Sequence, residues 1–119
     1  LYLLGFLSVI LFTACSKSDY ITPPNNEYDW MRTHDKGTVA YVDYVTGNHI
    51  VETYGGFSVI ESWGSYIPRE YDEVYAYFSS RGIQTIYNWT GNYYTKGRVV
   101  ESWLSWSDAL YVLDRISYQ

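Results

Sequence analysis

The sequence predicts a mainly β domain: a small curled sheet or an SH3-like or OB-like barrel of about six strands, with a C-terminal helix. Three observations carry the prediction. Short runs rich in Val, Ile, Tyr, Trp and Thr recur along the chain, and these residue types suit a pleated, half-buried surface. Turn signals punctuate them: Thr-Gly-Asn at 46–48 and 90–92, Gly55-Gly56 and Gly82. Near the end the apolar period changes from two to that of a helix.

"TVAYVDYV" (38–45) reads as the first strand, and the Thr-Gly-Asn after it as a tight turn. "HIVETY" (49–54) is the second strand, with Gly55-Gly56 as a two-residue hairpin turn. In "FSVIESW" (57–63), Phe57, Val59, Glu61 and Trp63 fall on one face and Ser58, Ile60 and Ser62 on the other. "PREYDEVYAYFSSRG" (68–82) fits two templates. Tyr71, Val74, Tyr75 and Phe78 have helical spacing, whereas Val74, Ala76 and Phe78 against Tyr75 and Tyr77 alternate. The density of Tyr, Phe and Val favours a strand; a helix here would instead make an α+β fold of two ββα units. "GIQTIYNWTGN" (82–92) is a strand into the second turn, and "KGRVVESWLSW" (96–106) a long strand. "SDALYVLDRI" (107–116) reads as the terminal helix, capped by Ser107 and lined by Ala109, Val112, Leu113 and Ile116.

The two halves echo each other. "VAYVDYVTGN" (39–48) and "IQTIYNWTGN" (83–92) share apolar positions and the turn, and "VIESW" (59–63) returns as "VVESW" (99–103). The spacing is 44 residues at the turns and 40 at the Glu-Ser-Trp triplets. Two copies fit a single sheet with two similar hairpin arms better than a solenoid.

Composition limits the function. The net charge of −5 argues against nucleic acid and against docking on anionic lipid through basic patches. Aromatics make up 20% of the chain, with fifteen Tyr and five Trp, and such residues both fill cores and anchor ligands. Cys15 stands alone, so no internal disulfide is available.

"LYLLGFLSVILFTA" (1–14) is uncharged and too short for a comfortable membrane span. It reads as the apolar part of a secretory signal, with its start expected upstream of Leu1. "LFTAC" (11–15) resembles a bacterial lipobox, with small residues at the two positions before the cysteine; Phe12 departs from the usual Leu, Val or Ile. "SKSDY" (16–20) is similar to the tether of Bacteroidota-type lipoproteins. The resemblance implies a lipid on Cys15, an outer-membrane anchor, and a periplasmic or surface-exposed location. It covers about twenty residues and carries no activity with it. The expected organisation is therefore a signal peptide over 1–14, a lipidated cysteine and tether over 15–36, and one β-rich domain over 37–119.

Glu61 and Glu101 are the candidate acid pair. Two carboxylates at a suitable separation could hydrolyse a glycosidic bond, and an apolar setting could raise one pKa. Glutamates on strands more commonly sit on a solvated face, and no cleft or positioning loop is evident, so catalysis is not expected. His34 and His49 lie in different segments with no ligand spacing, so neither metal nor cofactor is expected. The candidate ligand-binding residues are Tyr66, Tyr87, Trp89, Tyr93, Tyr94, Trp103 and Trp106, near the second turn and the Glu-Ser-Trp strands. The expected function is a non-enzymatic binding or structural role at the envelope, with an envelope protein or a glycan as partner.

Overall fold

The computed structural model describes residues 27–64 and 66–119. The expected signal segment, Cys15 and the expected tether as far as Asn26 lie outside them. Helix α1 spans Glu27–Thr33, and Met31–Gln119 form one compact unit. Six strands follow α1: β1 (Asp35–Val42), β2 (His49–Thr53), β3 (Gly56–Ser62), β4 (Glu73–Ala76), β5 (Gly82–Asn88) and β6 (Tyr93–Leu104). Helix α2 (Trp106–Tyr118) ends the chain.

The strands close into a barrel in the order β1-β2-β3-β6-β5-β4, antiparallel at every joint. The mainly β prediction holds in its barrel form. The α+β rival fails because 73–76 pairs with β1 on one side and β5 on the other. Val74, Ala76 and Phe78 are buried inside, so alternation prevails over the helical spacing. The strand is much shorter than 68–82, since residues 66–72 form a loop. Closure leaves no unpaired strand edge in the ring, which removes a common route to aggregation.

Burial follows two layers. Inside the barrel lie Val39, Val42, Val51, Ile60, Val74, Ala76, Phe78, Ile86 and Val99. Outside it, Ile50 and Val59 pack under Ala109, Val112 and Leu113 of α2, with Ala40, Phe57, Val100, Leu104 and Ile116 around them. Strands beneath the helix are therefore buried on both faces and carry adjacent apolar pairs: Ile50-Val51, Val59-Ile60 and Val99-Val100. Strands β4 and β5 lie away from it; β4 alternates, whereas β5 ends in three consecutive buried residues, Ile86, Tyr87 and Asn88. The outer face of the two strands carries a row of tyrosines, since Tyr75 pairs with Tyr87 and Tyr87 with Tyr94. The Tyr87 and Tyr94 rings are 4.7 Å apart. Three of the fifteen tyrosines thus lie on the wall that α2 does not cover.

Three local expectations shift. The β2–β3 hairpin turns at Tyr54-Gly55, with Thr53 facing Gly56. Helix α2 is capped by Ser105 rather than Ser107, its side chain accepting from Asp108 N at 3.2 Å. Trp106 belongs to α2, not to β6.

The echoed halves do not occupy equivalent places. The first Thr-Gly-Asn joins β1 to β2 and the second joins β5 to β6, although the ring order would match β1 with β4. The turns also differ in backbone, since Gly47 has φ 84° in the first and Asn92 has φ 59° in the second. In the first, buried Asn48 accepts from Ser62 N and donates to Ser117 Oγ. In the second, Thr90 Oγ1 accepts from Glu73 N and Asn92 Oδ1 from the Tyr87 hydroxyl.

Candidate functional site

Successive antiparallel strands alternate direction, so the barrel has two distinct rims. One rim holds both Thr-Gly-Asn turns and the 66–72 loop. The other holds the Tyr54-Gly55 hairpin, the 77–81 connection, the start of β1 and the end of β6.

Glu61 and Glu101 do not form an acid pair. Each is ion-paired with an arginine at 2.7 Å: Glu61 Oε1 with Arg98 Nε, and Glu101 Oε1 with Arg81 Nη2. Trp63 Nε1 also donates to Glu61. The Arg98 bond, then the Trp63 bond, holds the Glu61 carboxyl below its ordinary pKa, the opposite of what a general acid requires. His34 stacks on Tyr77 and His49 begins β2 at the other rim. Among the described residues, no group of three or more His, Cys, Asp or Glu side chains converges as a metal site would require.

The seven aromatic candidates separate. Tyr66 and Tyr93 stack on each other, with ring centroids 4.4 Å apart, at the Thr-Gly-Asn rim. Trp89 lies in the turn of that rim, half exposed. Tyr87 is buried in the wall against Tyr94. Trp106 meets Phe57 edge-on, at 5.1 Å, where α2 seats on the barrel. Trp103 projects from the opposite rim.

A cleft of about 320 Å³ on the Thr-Gly-Asn rim is lined by Ile67, Arg69, Asp72, Thr90, Gly91 and Tyr93. Its carboxylate is committed to holding the loops together. Asp72 Oδ2 accepts from Asn88 Nδ2 and from Arg69 N, and Asn88 Nδ2 also donates to Tyr93.

Trp103 is different in kind. It lies in a β-bulge: Phe57 pairs with Leu104 and Val59 with Glu101, so Ser102 and Trp103 together face Ser58. Its φ is +61°, a left-handed conformation that bulges normally assign to glycine and that costs a bulky residue about 1–2 kcal/mol. The conformation carries the indole away from the Glu101 side chain and lays it over Gly55. A Cβ on Gly55 would come within 1.5 Å of the ring, so only glycine admits this pose. The side chain remains 65% exposed. Tyr71 also has positive φ, 77°, but there the conformation delivers its N–H to Val39 O.

Beside the indole is a cleft of about 250 Å³, lined by Asp35, Lys36, Thr53, Tyr54, Gly55, Phe78 and Ser79. Sequence reasoning identified Trp103 but not these partners. They come from three separate segments, and only ring closure brings them together with Trp103. Gly55→Ala is expected to displace the indole and reduce its near-UV circular dichroism, leaving the far-UV spectrum and the barrel intact.

The chain matches no protein-family model, no curated protein and no solved structure.

Proposed function

We propose that this chain is a non-enzymatic, lipid-anchored module of the bacterial envelope that binds saccharide at the Trp103 rim. The observation that carries this reading is the indole itself. A strained backbone holds a large apolar ring in the open, with one face against Gly55 and the other towards solvent. Strain retained where no burial compensates it points to function. A flat, fixed aromatic face with polar groups at its edge suits the apolar face of a pyranose. Here Asp35, Lys36, Thr53 and Ser79 supply the polar edge, and the exposed Tyr54 stands beside it. The closed ring weighs against a protein partner that adds a strand, since that mode needs a free edge. The arginine partners of Glu61 and Glu101 weigh against hydrolysis. The lipobox-like segment ending at Cys15 supports the envelope location.

The test is calorimetric titration of the intact chain with a panel of bacterial and host polysaccharides. One saturable ligand is expected. Trp103→Ala should weaken it by at least about tenfold, about 1.4 kcal/mol, without changing the fold. A flat response across the panel, or full affinity in Trp103→Ala, would contradict the proposal.

A further inference from the structure

Strand β1 begins at the Trp103 rim with Asp35, and its register fixes which way its side chains fall. Asp35 pairs with Ala76 and Gly37 with Val74, and Val74 and Ala76 lie inside the barrel. Asp35 and Gly37 therefore share the inner face, since side chains alternate along a strand. Phe78 packs over Gly37, where an added Cβ would lie 3.1 Å from its ring. One step nearer the rim, Asp35 lines the cleft beside the indole. Lys36 falls on the outer face, opposite Tyr75, and its Nζ lies 3.8 Å from Glu73 Oε1.

The charges at this rim are not evenly matched. Lys36 is paired with Glu73, and Arg81 with Glu101. Asp35 is exposed, and among the described residues no hydrogen bond or ion pair engages its carboxylate. A carboxylate accepts and does not donate. Thr53 already donates its hydroxyl proton to Gly56 O at 2.9 Å, so its oxygen can only accept. The cleft thus offers an apolar ring face, one uncompensated negative charge and an edge weighted towards acceptors. We propose that Asp35 sets the ligand class of the Trp103 cleft: a neutral saccharide, whose adjacent hydroxyls donate to the Asp35 carboxylate while one pyranose face lies on the indole, in preference to a uronate. A uronate brings a second carboxylate, which cannot donate to the first and repels it. The inference rests on the saccharide reading of this rim.

The test is calorimetric titration of the intact chain with three matched pairs of oligosaccharides. They are a glucan, a galactan and a mannan, each neutral and with its primary alcohols oxidised to carboxylates. About 0.15 M salt screens charges beyond about 8 Å, so the acidic chain as a whole contributes little. At least one neutral oligosaccharide should bind, and its oxidised form should bind at least about tenfold more weakly. Asp35→Asn keeps the shape without the charge and should remove most of that difference. Asp114→Asn, which removes the same charge from α2, should leave it unchanged. Trp103→Ala should weaken the neutral ligand. An oxidised form that binds as tightly as its neutral partner, an Asp35→Asn chain with full discrimination, or an Asp114→Asn chain that loses as much would overturn the role of Asp35. In each of these cases weaker binding by Trp103→Ala would leave the saccharide reading standing. Binding of no member of any pair would overturn both.

Discussion

Acidification from pH 7 to pH 4 is expected to cost this domain about 3 kcal/mol of stability through one side chain, His49. Burial lowers its pKa from 6.5 to about 4, opposed only by its bond to Gly47. The unfolded chain takes up a proton near pH 6.5, whereas the folded chain resists until about pH 4. Between these values the unfolded state binds more protons, so stability rises with pH. The contribution is intact above pH 6.5 and is lost progressively as pH falls to about 4. Lys96 is the charged side chain lining the small cavity beside His49, and its positive charge adds no relief to an imidazolium. Urea denaturation at a series of pH values measures the slope, and His49→Gln should flatten it over this window. Equal slopes in the two proteins would exclude His49 as the cause. The lowered carboxyl of Glu61 titrates below the ordinary carboxylate range, so its loss falls at the acid end and is separable.

The second large effect is at Phe78. Its side chain is 1% exposed, inside the barrel among Val39, Val51 and Val74. Its backbone carbonyl also accepts from Ser58 Oγ at 2.9 Å. Phe78→Ala should cost about 3–5 kcal/mol, the range for emptying a packed aromatic site. The repeated Glu-Ser-Trp triplets suggest the opposite placement, with Trp63 and Trp103 covering the barrel and costing as much when removed. Instead Trp63 is 56% exposed and Trp103 65%. Trp63→Ala and Trp103→Ala should each change stability by no more than about 1 kcal/mol. Chemical denaturation of the three variants checks the ranking, and a Trp substitution that equals Phe78→Ala would refute this division of the rings.

The fold was largely legible because its signals are local. Alternation in β3, the turn at 46–48 and the apolar stripe Ala109, Val112, Leu113 and Ile116 depend on neighbours in sequence. The adjacent apolar pairs Val59-Ile60 and Val99-Val100 also carried a readable message, that these strands are buried on both faces. The wall beneath α2 is what they report. The two Glu-Ser-Trp triplets proved alike only in their glutamates, each held by an arginine from a neighbouring segment. Their tryptophans diverge because a bulge and a positive φ act at Trp103, and neither feature has a sequence signature when the residue is not glycine.

The site was less legible for the same reason. Gly55 appears as a hairpin glycine, and nothing near it in sequence says that an indole 48 positions later will lie upon it. Asp35, Lys36 and Ser79 join that cleft only when β1 closes against β4. By contrast, Tyr87 and Tyr94 looked like ligand-binding residues because a row of exposed tyrosines and a row that seals a barrel wall read identically in one dimension.

The most direct measurement of the central claim is the map of chemical-shift changes when the intact chain is titrated with a saccharide ligand. Changes concentrated at the Trp103 indole, Tyr54, Gly55 and Ser79, with the Tyr66–Tyr93 rim unmoved, are the predicted result. Changes centred on Tyr66, Trp89 and Tyr93 with Trp103 silent would contradict it.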